Sequence, residues 1–232
     1  MITGNKNYQR IDDLPASIPI FPLTGALLLP NGQIPLNIFE PRYLAMIDAT
    51  LAGDRIIGMV QPSFSDDENG DEQTSTGQAG SDLCHVGCAG RIVSFSETGD
   101  GRYLISLIGI SRFTILHELE VTTPFRQVIA NWEPYKNDLQ NDKSGEKVDR
   151  EGLLKTFKSY LDINNLEADW DSIEETQTDI LVNALSMMSP YGAAEKQALL
   201  EAVDLKIRAD TLIAITEMSL AQQTNDGNAI LQ

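Results

Sequence analysis

The sequence is poor in cysteine, histidine and basic residues, and each scarcity excludes a class of protein. Only two cysteines and two histidines occur among 232 residues, whereas a zinc site needs three or four ligands that converge on one point. Lys and Arg number 17 against 34 Asp and Glu, which gives a formal net charge of -17. A surface this negative repels nucleic-acid phosphates and anionic membranes. We therefore expect neither a nucleic-acid nor a membrane partner.

Long apolar runs are also lacking. Asp12 and Asp13 stand where the apolar run of a signal peptide would lie. The sequence contains no run of 18 apolar residues, so no membrane-spanning helix is predicted. The hydrophobic content of 42% is nevertheless ordinary for a globular chain. These features predict a folded cytoplasmic protein whose negative charge serves solubility.

Cys84, His85 and Cys88 form a short cluster of metal-ligand residue types. The segment is predicted to begin a strand, and residues four apart on an ideal strand share a face but lie about 13 Å from each other. That separation is too long for one metal ion or one disulfide. We expect two reduced, half-buried thiols, with no metal and no cofactor. His85 and His117 are isolated from any Ser or Cys nucleophile pattern.

Residues 1–135 are predicted to form a β-rich unit. Short apolar runs separated by Pro and Gly are typical of strands that close into a barrel. The dipeptide Asp100-Gly101 indicates a hairpin between two of them. An amphipathic helix from Pro41 to Gly53 interrupts the series. The predicted strands cover residues 17–23, 27–29, 34–39, 56–61, 86–97, 102–108, 113–120 and 125–132.

Two polar segments are predicted to lack regular structure. Residues 63–82 are acidic, rich in Gly and Ser and nearly free of apolar groups, so burial cannot offset the entropy of ordering them. We predict a long flexible loop there, with an acidic surface for a basic partner as the alternative. Residues 136–147 are predicted to form a linker.

Residues 148–224 are predicted to form a helical bundle, and residues 225–232 a tail. Apolar residues recur at helical spacing in four stretches. Asp171 or Ser172 is expected to cap the second helix, with Glu175 placed for a capping box. Each helix is apolar on one face only, so none is stable alone and we expect them to pack together. The predicted helices cover residues 149–161, 172–188, 194–203 and 204–221.

Several side chains are expected to face the inside of this bundle. In the second helix these include Ile180 and Met188, on the same face as Leu181 and Leu185. The methionines are expected to fill the core, although methionine also suits adaptable binding surfaces. The methionines concerned are Met187, Met188 and Met218.

Several segments together resemble the N-terminal domain family of Lon proteases. IPIFPL at 18–23 matches the family's opening strand, and LNIFEPRY at 36–43 and DRIIGMV at 54–60 match the segments that follow. The match continues in the family's order through VGCAGRI at 86–92, DGRY at 100–103, GISRF at 109–113 and EKQALLE at 195–201. Several matching segments in the family's order make the resemblance specific, whereas one segment alone would be weak evidence. The family-motif residues that stand out are Phe21, Pro22, Phe39, Glu40, Pro41, Arg42, Tyr43, Gly87, Gly109 and Arg112.

The resemblance implies an α+β fold in which a PUA-like, mostly antiparallel β pseudo-barrel precedes a C-terminal α-helical bundle. It also implies a non-catalytic module of protein quality control that recognises unfolded or tagged polypeptides and can serve a separate ATP-dependent protease. Small-molecule or RNA binding through the PUA-like fold is the alternative, since a fold does not fix a function. The sequence has no G-x-x-x-x-G-K-[ST] phosphate loop and no Ser-Lys peptidase pattern, so we expect no catalytic residue.

The family-motif residues are expected to be structural, and the binding residues cannot be assigned from the sequence. At the start of the first helix, Glu40 would face the positive helix end, Arg42 would pair with a carboxylate and Tyr43 would pack. Direct contact of this cluster with a polypeptide is the alternative. A groove for extended chains would need only backbone groups at a sheet edge and shallow apolar pockets.

Three arginines flank predicted strands and could ring a groove. We expect them instead to be solvated or to form surface ion pairs with the abundant acids, which are worth about 0–1 kcal/mol each. The three are Arg91, Arg102 and Arg112.

Overall fold

The structure is a computed structural model that describes residues 1–63, 82–140 and 147–229. Most of the predicted loop at 63–82, and residues 141–146 of the predicted linker, lie outside these ranges. The strands are β1 (Ile2–Thr3), β2 (Lys6–Asn7), β3 (Ser17–Pro22), β4 (Gln33–Ile38), β5 (Ile56–Val60), β6 (Val86–Glu97), β7 (Tyr103–Glu118) and β8 (Gln127–Asn131). The helices are α1 (Pro41–Leu51), α2 (Arg150–Ile163), α3 (Trp170–Glu175), α4 (Thr178–Met188), α5 (Ala193–Glu201) and α6 (Leu205–Ala229), with 3-10 helices η1 (Ile11–Asp13) and η2 (Glu133–Leu139).

Six strands form one sheet in the order β4-β7-β6-β5-β3-β8. β7 also pairs with β8, so five of these strands close into a barrel and β4 is attached at the side of β7. Every pairing is antiparallel except that of β3 with β5. The helices α2 to α6 follow the barrel in the chain. The predicted α+β fold, a mostly antiparallel barrel followed by helices, is confirmed.

β7 is a single strand of 16 residues where the sequence predicted two. The expected break at Gly109 does not occur, because Gly109 remains paired with Gly90 of β6. β7 changes its other neighbour near this point, from β4 for its first half to β8 for its second half. The expected strand at 27–29 is buried but is not a strand, and the adjacent Pro30 forms an isolated bridge with Gly109.

The helix predicted over 172–188 is divided into α3 and α4. Nη2 of Arg150 donates hydrogen bonds of 2.7 and 3.1 Å to the carbonyl oxygens of Ile173 and Glu174 at the end of α3. Carbonyl groups in the last turn of a helix need partners of this kind. The Arg150 side chain of α2 therefore supplies hydrogen bonds to the last carbonyl groups of α3. The local sequence of α3 does not reveal this contact.

The cap of α3 also differs from the expectation. Asp169, rather than Asp171 or Ser172, is the residue at the N-cap, and its side chain accepts a 3.2 Å hydrogen bond from the backbone N–H of Ser172. The predicted capping box with Glu175 is therefore wrong, because Ser172 supplies the backbone N–H that is capped and is not itself the cap.

One buried apolar cluster runs through both the barrel and the helices. It includes Leu107 of β7, Ile47 of α1, Leu181 of α4 and Leu212 of α6. A second cluster, around Phe113, occupies another part of the barrel. The helices are thus packed against the barrel through a shared core, and the proposed division into units at 1–135 and 148–224 stays a prediction.

The segments expected to be a linker and a tail contain regular structure. η2 ends within the predicted linker at 136–147, and its Leu139 is buried. α6 continues to Ala229, past the end expected near residue 221 and into the predicted tail at 225–232. One apolar side chain thus anchors residues 136–139 of this otherwise polar stretch, and the linker at 136–147 and the tail at 225–232 stay predictions. In the described ranges, none of the helices combines the length and the hydrophobicity that a membrane-spanning segment requires.

Candidate functional site

The outer edge of β4 has no partner strand among the described residues. β4 pairs with β7 along one edge, and no strand in the described part of the chain pairs with the other. Pro35 lies in the middle of β4, as expected at an edge, because proline has no N–H for a ladder. Edge strands are protected by charged side chains or by proline, and β4 has Pro35 but no charged residue. We call this outer side the β4 edge.

The position of Pro35 indicates which backbone groups the β4 edge offers. A proline inside a strand directs its nitrogen to the free side, since otherwise a ladder hydrogen bond would be lost. Residues two apart in a strand direct their N–H groups to the same side. Gln33 and Asn37 therefore present their N–H groups to the β4 edge.

An apolar cleft of about 210 Å³ opens at the first residue of β4. It lies between the turn Pro30–Gln33 and helix α4, and we call it the α4 cleft. Ile180 is 50% exposed and Met188 is 82% exposed at its surface. Exposed apolar groups that line a concave surface beside an unpaired strand are typical of sites that take apolar side chains.

The turn that forms one wall of the α4 cleft depends on Gly109. The N–H of Asn31 donates to the carbonyl oxygen of Gly109 over 3.0 Å, and the N–H of Gly109 donates to that of Gly32 over 2.9 Å. A Cβ atom on Gly109 would stand 2.1 Å from the carbonyl oxygen of Leu29. Asn31 has φ of 64°, which asparagine tolerates better than most residues. Glycine at 109 thus lets the turn lie directly on β7.

Helix α4, the other wall, is held to the turn by a chain of side-chain hydrogen bonds. Nδ2 of Asn183 donates to the carbonyl oxygen of Pro30 over 3.2 Å. Nη1 of Arg208 donates to Oδ1 of Asn183, and its Nε to the carbonyl oxygen of Leu199, each over 2.9 Å. Arg208 is only 4% exposed. The cleft is therefore preorganised by groups from α4, α5, α6 and the barrel.

Phe39 lies at the opposite end of β4, and its side chain is 61% exposed. The guanidinium carbon of Arg102 lies 5.9 Å from the centre of its ring. Beside it, the rings of Phe95 and Tyr103 meet edge to face at 4.9 Å. Phe39 is thus a family-motif residue on the surface, and an apolar group stands at each end of the β4 edge.

The neighbouring motif residues form a contact cluster at the start of α1. Nε of Arg42 donates a 2.9 Å hydrogen bond to Oε2 of Glu40, and Nη2 lies 2.8 Å from the same oxygen. Pro41 is the first residue of the helix. The ring of Tyr43 is buried and meets that of Phe21 edge to face at 4.2 Å. Burial raises the pKa of Tyr43, so its hydroxyl stays neutral.

The remaining motif residues lie inside the protein. Pro22 of β3 is buried and pairs with Val60. A Cβ atom on Gly87 would stand 2.7 Å from the ring of Phe113, so glycine is needed for this packing. The sequence could identify these positions as a motif, but their contacts come from different strands.

Arg112 is buried, and it joins the barrel to the helices. Its Nη2 lies 2.8 Å from Oδ1 of Asp138 in η2, and its Nη1 donates to the carbonyl oxygens of Leu200 and Ala202. Burial acts against its positive charge, but Asp138, together with Tyr135 and Cys88, outweighs this and raises the pKa of Arg112. The guanidinium therefore remains charged inside the protein.

The expectation that the arginines form surface ion pairs holds for only one of them. Arg102 is exposed and pairs with Asp100 over 3.3 Å. Arg91 is buried, and it donates to the hydroxyl of Tyr8 and the carbonyl oxygen of Asp54 over 3.1 and 2.7 Å. Arg91 and Arg112 were expected at the surface, and they are instead structural donors. Several of their partners are backbone carbonyl groups, which every residue has, so the sequence does not reveal these contacts.

The thiols are placed where they are poor nucleophiles. Cys88 is buried in β6, and burial raises its pKa. Cys84 is half-buried before β6, and burial raises its pKa as well. Within the three described ranges, no three His, Cys, Asp or Glu side chains converge as metal ligands.

Sequence reasoning missed the α4 cleft. Ile180 and Met188 were expected to face the core with Leu181 and Leu185, but only the latter two are buried. Met218 was also expected in the core, and it is 65% exposed. The adjacent methionines at the end of α4 were the only signal, under the alternative that methionine serves an adaptable surface.

Comparison with known proteins identifies a family for almost the whole chain. A model of the ATP-dependent protease La (LON) substrate-binding domain matches residues 17–217. The Lon protease of Parabacteroides distasonis is 31% identical over 221 residues, and Lon protease 2 of Myxococcus xanthus is 26% identical over 212. These matches cover 89% and 88% of this chain, but only 24% of either relative. The chain thus spans about a quarter of the length of these relatives.

Two solved structures share the fold. The N-terminal domain of the Mycobacterium avium complex Lon protease has a TM-score of 0.62 at 18% identity, covering 87% of this chain and 98% of that one. A Lon N-terminal domain protein from Xanthomonas campestris has a TM-score of 0.57 at 20% identity, covering 85% and 97%. At these identities the likeness is one of architecture.

Proposed function

Since this chain belongs to the family of the ATP-dependent protease La (LON) substrate-binding domain, we propose that it binds extended segments of other polypeptides at the β4 edge. The observation that carries this proposal is the coincidence of an uncharged, unpaired strand edge with an apolar group at each end. The α4 cleft adjoins Gln33 at the start of the strand, and Phe39 follows its last residue.

A bound segment would add one more strand beside β4. Its backbone would exchange hydrogen bonds with Gln33 and Asn37, and such bonds do not depend on the sequence of the client. Six extended residues span about 20 Å, so one segment could reach from the α4 cleft to Phe39. Burying a large apolar side chain contributes about 1.5–3 kcal/mol. Folded proteins keep such segments paired and buried, so this site favours unfolded clients.

We also propose that the chain performs no chemical step on its clients and serves a separate ATP-dependent protease in the cytoplasm. The high pKa values of Cys84 and Cys88, caused by burial, argue against a thiol nucleophile. The charge of -17 supports a protein partner over a nucleic acid or an anionic membrane. Such a module acts by presenting clients and not by changing them.

Binding of N-methylated peptides tests the mode of recognition. An apolar peptide would be made in two versions, with N-methyl groups on the odd or on the even residues, so that each version lacks donors on one edge only. We expect one version to bind like the parent peptide and the other to lose at least about ten-fold in affinity, since several hydrogen bonds of about 1 kcal/mol each are removed. Equal binding of both versions would contradict strand addition, and no binding of the parent peptide would contradict the proposed function.

A further inference from the structure

The helix that forms the α4 cleft lies in the most one-sidedly charged stretch of the chain. Between Lys158 and Lys196 the sequence contains no Lys or Arg. The same stretch contains eight carboxylates, at Asp162, Glu167, Asp169, Asp171, Glu174, Glu175, Asp179 and Glu195.

These carboxylates are not neutralised by ion pairs. Across the described ranges, none of the eight lies within 4.0 Å of a Lys or Arg nitrogen. Two cations approach the stretch from α2: Arg150 donates to backbone carbonyls of α3, and Lys158 lies 5.9 Å from the ring of Trp170. A third, the buried Arg208 of α6, donates to Asn183 of α4. Eight negative charges outnumber these three positive ones, so the net charge around the stretch is negative.

This field reaches the apolar cleft itself. Asp179 lines the α4 cleft beside Ile180, and Glu175 lies three residues before the start of α4. Exposed charges act on one another over about 8–10 Å at physiological salt, which spans a cleft of this size. At the other end of β4, two carboxylates are paired with cations, since Arg42 pairs with Glu40 and Arg102 with Asp100.

We propose, building on the proposed function, that the α4 cleft selects extended client segments in which an apolar anchor residue is flanked by Lys or Arg. The anchor occupies the space between Met188 and the turn at Gly32. The flanking cations lie in the negative field of Asp179 and its neighbours. A second copy of this chain is a poor occupant, because two copies of charge -17 repel each other.

Three labelled peptides with one apolar anchor and flanks of Lys, Gln or Glu would test this selectivity, with affinity measured by fluorescence anisotropy. At low salt we expect the Lys-flanked peptide to bind about ten-fold more tightly than the Glu-flanked one, with the difference shrinking at high salt. Equal affinities for all three would overturn the selectivity while leaving the proposed function intact. No binding of any peptide would instead count against the proposed function.

Matched variants locate the source of the preference. The double variant Glu175→Gln/Asp179→Asn removes two charges near the cleft, and Asp12→Asn/Glu120→Gln removes two exposed charges elsewhere. We expect the first to reduce the Lys preference several-fold and the second to leave it unchanged. Equal effects of both would show that net charge alone attracts the peptide and would overturn the assignment to the cleft. A dimer that forms in sedimentation experiments and excludes the peptide would also overturn the assignment to the cleft.

Discussion

Nδ2 of Asn183 on α4 donates a 3.2 Å hydrogen bond to the carbonyl oxygen of Pro30, and this contact joins the two walls of the α4 cleft. Asn183 in turn accepts a hydrogen bond from the buried Arg208. A single amide thus couples the barrel turn to the long helix α6. The shape of the cleft is therefore set by the packing of the helices on the barrel.

Replacing Asn183 by Ala is expected to destabilise the protein and to weaken client binding together. The substitution leaves the Pro30 carbonyl and an Arg208 donor without this partner, which costs about 1–3 kcal/mol. Urea unfolding and peptide titration would measure the two effects. Asn7→Ala, at an exposed position, is the matched control and should change neither. An Asn183→Ala protein with unchanged stability would show that this contact does not hold the cleft.

Removing the apolar surface of the α4 cleft is expected to weaken client binding without loss of stability. In Ile180→Ser/Met188→Ser both side chains are at least half exposed, so little buried area is lost on folding. A bound client would lose an apolar contact, and we expect an affinity reduced by about ten-fold or more. Met218→Ser, an exposed methionine on α6, is the control that should bind normally. Equal affinities of the two variants would show that the cleft is not part of the binding site.

The sequence predicts most of the fold because the signals for its elements are local. Alternating and helical apolar periods locate the strands and helices, and Pro41 marks the start of α1. The break between α3 and α4 has no such signal, since it depends on Arg150 from another helix. Ile180 and Met188 continue the apolar period of α4, but periodicity cannot tell which residues of an apolar stripe are covered. The site was missed for that reason.

Gly109→Ala is expected to destabilise the protein through the turn at Pro30–Gln33. The new Cβ would collide with the carbonyl oxygen of Leu29, and relieving such a clash costs about 1–3 kcal/mol. Gly53→Ala is the matched control, because its Cβ would meet nothing closer than 3.7 Å. Thermal unfolding of the two variants gives the comparison. If both unfold at the wild-type temperature, the turn is not fixed by its approach to β7.

Breaking the buried ion pair between Arg112 and Asp138 is expected to cost more than removing both of its members. Arg112→Met leaves the Asp138 carboxylate without its main partner and should cost about 3–5 kcal/mol. Arg112→Met/Asp138→Leu leaves no unpaired charge, so it should be more stable than Arg112→Met alone. Denaturant unfolding of Arg112→Met, Asp138→Leu and the double variant measures this. A double variant that loses the sum of both single effects would show that the two charges do not depend on each other.

Residue-resolved hydrogen exchange of the backbone amides, with and without a saturating apolar peptide, tests strand addition at β4 most directly. Gln33 and Asn37 present their N–H groups to the β4 edge, so both amides should exchange more slowly when the peptide is bound. Amides of β5, which is separated from β4 by β7 and β6, should be unaffected. Protection that appears elsewhere, with none at Gln33 and Asn37, would contradict binding at the β4 edge.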